Sequence, residues 1–537
     1  MEKLCKRPGW VHAKSRNSNS IYLKGILTQG LDELGARETT GEQGMRVSLV
    51  SPKWNRMVNS YPPLGLAYLA AVLERAGHEV RVHDFGLHPD VSLSEHTAEV
   101  AGFDPALVGI TAMTNTYHSA AEAARLLKEE VGCPIVLGGP HPTVFPERVA
   151  AEPFVDYVVY GEGEETLAEL VRAIDAEGSY PRTGTLAAID GLCYTDDDGV
   201  RRNPERALIR DLDALPYPAR HLFDVLAYPL YAPNGDRMIT VLSSRGCPYN
   251  CSYCFKGIVG RTYRQRSPDS LMTELHQVVS QYGITNIYFI DDLFTMDLPR
   301  LKAVTQRIIE EDLDIRWQCL ARVDRVNPEV LGLMHRSGCR GIHYGIESGN
   351  DEILEAIGKH ITKEQVRKAV EWTAQAGIRS KGYFMLGLPG DTEETMRQTI
   401  EFAAELDLDD AMFSLTTPFP GTRLWAELVA KRPEVEFNQD FSRAFYYNNY
   451  SEEIEPFLNV SEVSDQVLSR MAAKAKRSFA EGKRKRKYTR AFGQRLGSAL
   501  WGVSRLPLVR DAGRALLNCG VLGDLGNFRE ERTREWT

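Results

Sequence analysis

Three cysteines stand close together in the arrangement Cys247-x3-Cys251-x2-Cys254, directly after an apolar run at 238–242. Thiolates at such short spacings suit an iron–sulfur cluster or zinc. A structural zinc ion needs four closed ligands, and the next cysteine, Cys319, has no neighbouring Cys or His that would complete a familiar zinc pattern. Three thiolates on a four-iron cluster leave one iron open for a substrate or cofactor, so the count favours the cluster.

The full motif, Cys247-x3-Cys251-x-Tyr253-Cys254, resembles the signature of radical S-adenosylmethionine (SAM) enzymes, in which an aromatic residue precedes the last cysteine. The resemblance implies a [4Fe-4S] cluster on the three cysteines, with its open iron bound to the amino and carboxylate groups of SAM. An electron from the reduced cluster would cleave SAM to a 5′-deoxyadenosyl radical. A zinc knuckle or three structural thiols is the alternative reading.

Strand, loop and helix repeat from just before the motif onward. Apolar runs predict strands at 238–243, 286–291, 316–320, 341–346, 381–386 and 411–416. Repeated units of this kind build a barrel whose chemistry lies at the carboxyl ends of its strands. Six units predict a partial (βα)6 TIM-type barrel, as the resemblance also implies.

Polar residues follow these strands at the ends where a ligand is expected. The resemblance assigns SAM contacts to Tyr253, Asp291, Asp292, Arg322, Glu347, Ser348 and Gly387. An arginine suits the SAM carboxylate as a bidentate partner, but Arg322 could equally bridge to Asp324. For each of the two aspartates, a helix N-cap or a solvated acid is the alternative.

Ahead of the motif, short strands and helices also alternate. Strands are predicted at 46–50, 80–82, 107–111, 135–137 and 157–160. This order predicts a parallel sheet covered on both faces, in a doubly wound Rossmann-like domain. Ligands of such sheets bind at the carboxyl ends of the strands.

Three segments at those ends, 61–66, 136–141 and 160–164, are similar to the cobalamin-binding domain that precedes the core of cobalamin-dependent radical SAM enzymes. The resemblance implies cobalamin contacts from Pro63, Leu64, Thr114, Asn115, Thr116, Gly138, Gly139, His141, Gly161 and Glu162. A tight turn is the alternative for the two adjacent glycines. The order His83-Asp84-Phe85-Gly86 departs from the Asp-x-His-x-x-Gly pattern that supplies a cobalt ligand, so no lower-face histidine is expected.

A chain of 537 residues exceeds one ordinary core. We predict an N-terminal arm at 1–44, a cobalamin-binding Rossmann-like domain at 45–180, a linker at 181–236, the radical SAM core at 237–425, and a mainly helical C-terminal cap with a basic tail at 426–537. No apolar stretch is long enough to span a bilayer, and the start leads into no signal core. Nine cysteines without a disulfide framework favour the cytoplasm.

The C-terminal region carries a charge that the net value of −9 conceals: residues 471–537 hold 16 Lys and Arg against 6 Asp and Glu. The basic run Lys483–Lys487 precedes an apolar stretch containing Trp501, which suits a helix on an anionic membrane surface. A solvated face is the alternative. Nucleic acid is not expected as a partner.

These observations predict a cobalamin-dependent radical SAM enzyme that methylates an unactivated carbon of a small-molecule or lipid-like substrate. The deoxyadenosyl radical would abstract a substrate hydrogen, methylcobalamin would deliver the methyl group, and a second SAM would remethylate the cobalt. A reductant such as flavodoxin or ferredoxin would supply electrons. Two alternatives remain: a non-methylating radical reaction (cyclisation, ring contraction or oxidation) on the same architecture, and a non-catalytic iron–sulfur or cobalamin carrier.

Overall fold

The computed structural model describes residues 44–54, 57–436, 440–444 and 455–505. The predicted N-terminal arm, apart from Gly44, lies outside the described residues. So does the end of the chain beyond residue 505.

The first half of the protein forms a seven-stranded sheet with the strand order β2-β1-β3-β4-β5-β6-β7. Its strands are β1 (Arg46–Ser51), β2 (Glu79–Asp84), β3 (Leu107–Thr111), β4 (Ile135–Gly138), β5 (Tyr157–Val159), β6 (Leu192–Asp196) and β7 (Gly199–Arg202). Neighbours among β1 to β5 pair in parallel, whereas β6 and β7 add an antiparallel edge. The sheet therefore extends into the range 181–236 that was predicted to be linker.

Helices cover this sheet on both faces, and each face has its own apolar core. They are α1 (Leu64–Arg75), α2 (Leu93–Gly102), α3 (Tyr117–Val131), α4 (Pro140–Val144), α5 (Pro146–Ala150), α6 (Glu164–Glu177) and α7 (Thr183–Leu186). In α1 the buried residues Leu66, Ala70 and Leu73 recur at helical spacing. Gly77, with φ +95°, follows the helix and lets the chain turn into β2.

The second half forms a six-stranded, all-parallel sheet in which the strands lie in chain order. Its strands are β8 (Met238–Val241), β11 (Asn286–Phe289), β12 (Arg316–Ala321), β13 (Cys339–Glu347), β14 (Arg379–Leu386) and β15 (Asp410–Leu415), and a short antiparallel pair, β9 (Ser244–Arg245) with β10 (Arg264–Gln265), stands apart from it. Sequential parallel strands with intervening helices make a partial barrel, so the predicted fold class is confirmed.

Most of the helices described in this half contribute to one core on the outer face of the barrel. The helices of this half are α8 (Pro268–Tyr282), α9 (Leu298–Glu310), α10 (Pro328–Arg336), α11 (Asp351–Ala356), α12 (Lys363–Gln375), α13 (Glu393–Glu405), α14 (Arg423–Lys431), α15 (Asp465–Phe492) and α16 (Gln494–Ser504). Alternate strand residues such as Ile287, Trp317 and Tyr344 point into one large core beneath them, as the two-residue period of a strand requires.

Helix α15 joins the same core through Leu468, Met471, Ala475 and Phe479, so it covers the barrel beside its last strand. Part of its basic run contacts the barrel, whereas Arg484, Lys485 and Lys487 are exposed. Lys483 donates to the carbonyl oxygen of Asp409 at 2.6 Å, and Arg490, three residues beyond the run, pairs with Asp407.

Arg486 of the same run donates to the carbonyl oxygen of Ala404 in the last turn of α13, where helix carbonyls lack partners within the helix. Part of the basic run therefore fixes α15 to the barrel. Beyond it, α16 folds back against α15, and the ring of Trp501 lies 5.7 Å from that of Tyr488. Within the described ranges, no helix combines the length and apolar character needed to cross a membrane.

Candidate active site at the carboxyl ends of the two sheets

The three motif cysteines lie on a loop, residues 246–263, whose two ends are joined by β9 and β10; we call it the cluster loop. Gly246 begins the loop with φ +85°, and a Cβ there would collide with the carbonyl oxygen of Thr262. The loop can close this tightly only with glycine at that position. Cys247, Cys251 and Cys254 are all half-buried and free of disulfides.

Positive charge accompanies these thiols. Burial raises the pKa of Cys254, and the ammonium group of Lys256 opposes that rise. Lys256 also interacts electrostatically with Cys247. Within the described residues, no three His, Cys, Asp or Glu side chains converge on a point as a single metal ion would require. Cluster thiolates each bind a different iron, so they are spread more widely than the ligands of one ion.

Asp291, at the end of β11, holds the entry to the cluster loop. Its buried carboxylate accepts hydrogen bonds from the backbone N–H groups of Ser243 and Ser244, both at 2.6 Å, and from the Ser243 hydroxyl at 2.7 Å. Burial raises its pKa, and these hydrogen bonds act against the rise. Because both oxygens are engaged, Asp291 positions the loop, and its contact with SAM stays a prediction.

Arg322, which was predicted to pair with the SAM carboxylate, makes contacts with three protein groups. Its guanidinium donates to Asp324 Oδ1 at 2.9 Å and to the carbonyl oxygen of Lys359 at 2.9 Å. The same group lies 3.6 Å from the ring centroid of Tyr249, a residue of the cluster loop. The structure therefore shows the alternative, a bridge from Arg322 to Asp324. Through its contact with Tyr249, Arg322 also supports the cluster loop.

Glu347, at the end of β13, forms a buried ion pair that faces the cluster loop. Lys359 Nζ lies 2.8 Å from Glu347 Oε1 and 3.4 Å from the hydroxyl of Tyr253. Glu347 has φ +69°, an uncommon backbone conformation for a residue with a side chain. A Cβ on Gly345 would lie 2.6 Å from Glu347 Oε1 and 2.8 Å from Lys359 Nζ, so a larger residue there would displace this pair.

Lys359 was missed by the sequence analysis because it lies in the short turn between α11 and α12, where no periodicity marks it. No signal in the sequence marked it, because the neighbouring contact between the Gly358 carbonyl oxygen and the Cys251 thiol, at 3.7 Å, is evident only in the structure. Burial and the Glu347 charge raise the pKa of Tyr253, so this phenol stays protonated.

The remaining predicted SAM residues shape the strand ends. The Ser348 hydroxyl is buried against Thr399 at 3.1 Å. Gly387, with φ +82°, donates its N–H to Asp391 at 3.0 Å, and a Cβ there would lie 2.8 Å from Leu468. Asp292 is exposed. It is close enough to Cys254 for its charge to raise the pKa of that thiol.

A cluster of three polar side chains, His343, Tyr288 and Tyr383, lines the inside of the barrel. His343 Nδ1 lies 3.2 Å from the hydroxyl of Tyr383 and 3.4 Å from that of Tyr288. Burial, with the charge of Lys381, lowers the pKa of His343 to about 3, so its imidazole is neutral. These residues occupy alternate, inward positions on three strands. That alternation was the signal by which the sequence could have revealed them.

The expected cobalamin face, at the carboxyl ends of β1, β3, β4 and β5, has a different character. Asn115 Oδ1 and His141 Nδ1 are buried there without a hydrogen-bond partner. The His141 ring stacks on Tyr117 at 4.0 Å, and burial lowers its pKa to about 4. Gly139 has φ +97°, and a Cβ there would lie 2.8 Å from Thr111 Oγ1. Unpaired polar atoms beside glycine turns fit a ligand with amide and hydroxyl groups.

The other predicted cobalamin residues surround this face. Pro63 and Leu64 begin α1, Gly138 ends β4, and Gly161 donates its N–H to the Thr143 hydroxyl at 3.1 Å. Thr114 is half-buried beside Asn115. The Thr116 hydroxyl accepts from the N–H of Met113 at 3.0 Å, so it caps its own turn.

Glu162 is the exception. Its buried carboxylate pairs with Arg245 at 2.9 Å and with Arg264 at 2.7 Å, and it accepts from the N–H of Ile209 at 2.9 Å. Arg245 also pairs with Glu164 at 2.6 Å. The Glu162 side chain therefore faces the barrel domain, and its contact with cobalamin stays a prediction.

Comparison with known proteins agrees with this arrangement. Residues 55–171 match the B12 binding domain model, and residues 241–403 match the radical SAM superfamily model. The chain is 36% identical over 443 residues to an uncharacterized methyltransferase of Pyrococcus horikoshii, covering 81% of this chain and 92% of that protein. It is 27% identical to the anaerobic magnesium-protoporphyrin IX monomethyl ester cyclase of Rubrivivax gelatinosus, covering 83% and 81% respectively.

Among solved structures, the radical SAM methyltransferase TsrM of Kitasatospora setae, with cobalamin and a [4Fe-4S] cluster bound, aligns with a TM-score of 0.61 and 24% identity, over 72% of this chain and 78% of that one. A likeness at this level shows the shared fold.

The protein therefore belongs to the radical SAM enzymes that carry an N-terminal B12-binding domain. The predicted family is confirmed. So are its cofactors: a [4Fe-4S] cluster, SAM and cobalamin.

Proposed function

We propose that the protein is a C-methyltransferase that acts on an unactivated carbon of a small-molecule or lipid-like substrate. The observation that carries the proposal is that one residue, Gly421, adjoins both the cluster loop and the end of α4, the helix that begins at the predicted cobalamin-contact turn. A Cβ on Gly421 would lie 2.7 Å both from Phe255 of the cluster loop and from Val144, just beyond the predicted cobalamin-contact turn at residues 138–141. Transfer of a methyl group to a substrate radical requires the two cofactors to face one substrate.

SAM carries an ammonium and a carboxylate on the same carbon, and the chain offers one buried group of each sign beside the cluster loop. We assign Glu347 to the ammonium or a ribose hydroxyl, and Lys359 to the carboxylate, with the two exchanging their mutual 2.8 Å contact for contacts with SAM. Tyr253 closes this pocket, and Ser348 and Gly387, which follow β13 and β14, support it. A carrier without chemistry would need no such pair.

On the other side, the backbone turns at Gly138, Gly139 and Gly161 let a corrin approach closely, while Asn115, His141 and Thr114 supply hydrogen-bonding groups. Pro63 and Leu64 would line the apolar edge. When bound, the cluster and SAM supply a radical, and cobalamin supplies the methyl group. The protein's own residues bind these groups, orient them and exclude water.

The inside of the barrel supports a substrate with a neutral, hydrogen-bonding end, because His343 is uncharged and the hydroxyls of Tyr288 and Tyr383 adjoin it. Membrane contact by α16 stays a prediction, as do a flavodoxin or ferredoxin reductant and a cytoplasmic location. Phe492, Leu496 and Val503 remain 46%, 57% and 50% exposed on the hairpin of α15 and α16.

The test needs no knowledge of the substrate. The chain is reconstituted anaerobically with iron, sulfide and hydroxocobalamin, reduced, and given SAM whose methyl group is deuterated. We expect S-adenosylhomocysteine, from methyl transfer to the corrin, and 5′-deoxyadenosine, from reductive cleavage. Deoxyadenosine without S-adenosylhomocysteine would favour a non-methylating reaction, as in the cyclase relative, and neither product would favour a carrier.

A further inference from the structure

The pair β9 and β10 forms the stem of the cluster loop, and its pairing brings two like charges together. Arg245 stands directly opposite Arg264 in the antiparallel register, and both guanidinium groups are buried. Like charges opposite each other destabilise a strand pair, more so when they are desolvated. The stem therefore needs carboxylates from elsewhere in order to close.

Those carboxylates come from the B12-binding domain. Glu162, in the turn after β5, bridges the two arginines: one of its oxygens lies 2.9 Å from Arg245 and the other 2.7 Å from Arg264. Glu164, at the start of α6, adds a second contact to Arg245 at 2.6 Å. The charges balance, since two carboxylates meet two guanidinium groups.

The two arginines differ in the ion pairs that they would keep if Glu162 were removed. Arg245 keeps Glu164 if Glu162 is removed, and it also lies 5.3 Å from the ring centroid of Tyr68 in α1. Among the described residues, Arg264 has Glu162 as its one carboxylate partner, and its other hydrogen bonds go to the carbonyl oxygens of Ile209 and Val259. Removing the Glu162 charge therefore leaves Arg264 buried without a counter-ion.

We propose that the turn Gly161–Glu164 of the B12-binding domain is a positioning element of the iron–sulfur site, with Glu162 holding the stem of the cluster loop closed. Arg245 is two residues before Cys247, so the position of the stem sets the position of the first ligand. The inference goes beyond methyl transfer and does not depend on it, because it concerns how this chain keeps its cluster. A domain that binds one cofactor thereby completes the site of the other.

The test uses the full chain, reconstituted with iron and sulfide, in four forms: wild type, Glu162→Gln, the double variant Glu162→Gln with Arg264→Gln, and Glu177→Gln as control. Glu177 ends the same helix that Glu164 begins, and it pairs with Arg182 on the surface. The readouts are bound iron, the rate of cluster loss to a chelator, and the midpoint potential of the cluster, with circular dichroism as a check on folding.

We expect Glu162→Gln to lose its cluster about tenfold faster than wild type or more, since breaking a buried ion pair is strongly unfavourable. Its cluster potential should shift to more positive values, because the variant leaves one uncompensated cation near the cluster. The double variant removes that cation, so it should recover both slow cluster loss and the original potential. The control should match wild type.

The proposal is overturned if Glu162→Gln retains its cluster with unchanged rate and potential. It is equally overturned if the double variant is no better than the single one, whether or not the single variant folds. Methyl transfer enters neither readout, so these outcomes are independent of the proposed function.

Discussion

The carboxyl ends of the two sheets are built differently, although both belong to parallel α/β architectures. At the barrel end, charged side chains are abundant and already have partners. Asp291 accepts hydrogen bonds from backbone N–H groups, Arg322 forms an ion pair with Asp324, and Glu347 forms one with Lys359. At the B12-binding end, the buried carboxylates of Glu162 and Glu164 are directed at the barrel domain, whereas Asn115 and His141 are neutral and each has a buried polar atom without a partner. The difference matches the ligands proposed for each end, since SAM carries cationic and anionic groups whereas the side chains of a corrin end in neutral amides.

The largest effect should come from removing Asp291. In Asp291→Ala the backbone N–H groups of Ser243 and Ser244 lose their acceptor in a buried position. We expect a loss of about 4 kcal/mol in unfolding free energy, since each unpaired buried donor is costly. Denaturant unfolding and bound iron measure the result. Asp292→Ala, at the exposed neighbouring position, should change stability little, and equal effects of the two would refute the structural role given to Asp291.

Acid should weaken both ends through their buried histidines. Burial lowers the pKa of His141 to about 4 and that of His343 to about 3. Between pH 6.5 and these values the unfolded chain binds more protons than the folded one, so stability falls as the pH falls. Each histidine should contribute a loss of roughly 3 kcal/mol by pH 4. Unfolding of His343→Gln and His141→Gln should show a shallower pH slope than wild type, and unchanged slopes would contradict the assignment.

A pair of variants should separate the two ends from each other. Lys359→Met removes the cation assigned to the SAM carboxylate, and Asn115→Ala removes an amide assigned to the corrin. We expect about a tenfold loss of affinity in each, equivalent to one charged or well-placed hydrogen bond. Equilibrium dialysis with SAM and titration with hydroxocobalamin provide the measurements. Lys359→Met should leave cobalamin binding unchanged, and Asn115→Ala should leave SAM binding unchanged. If either variant lost affinity for both ligands, the assignment of SAM and cobalamin to separate sites would be wrong.

The smallest effect concerns the C-terminal hairpin. Lys483 and Arg486 donate hydrogen bonds to backbone carbonyl oxygens of the barrel domain. Arg484, Lys485 and Lys487 of the run are exposed, so contact with anionic lipid would combine these cations with the exposed apolar face that contains Leu496 and Val503. Replacing both with Ser should reduce sedimentation with phosphatidylserine vesicles by a few fold. No sedimentation of the wild-type chain would remove the membrane as a partner.

The sequence predicted what depends on spacing and periodicity. The thiolates of Cys247, Cys251 and Cys254 were evident because all three ligands lie within eight positions of one another. The order of strands and helices was evident because buried strands in both sheets read as short apolar runs separated by helices.

What the sequence could not supply is the pairing of charges across the fold. Glu162 meets Arg264 from 102 positions away, and Asp291 meets Ser243 from 48 positions away. Each acid stood at a strand end where a ligand was expected, but only the three-dimensional packing shows that protein groups already occupy it. The same holds for Lys359, whose significance depends on a contact with Glu347 across a turn.

The central claim is that three thiolates of the cluster loop hold a four-iron cluster whose open iron binds SAM. Electron paramagnetic resonance of the reduced, reconstituted chain tests it most directly. We predict the signal of a reduced [4Fe-4S] cluster whose g-values change when SAM is added, and no such signal when Cys247, Cys251 and Cys254 are all replaced by Ala. A signal that persists in the triple variant, or one that SAM leaves unchanged in the wild-type chain, would contradict the account.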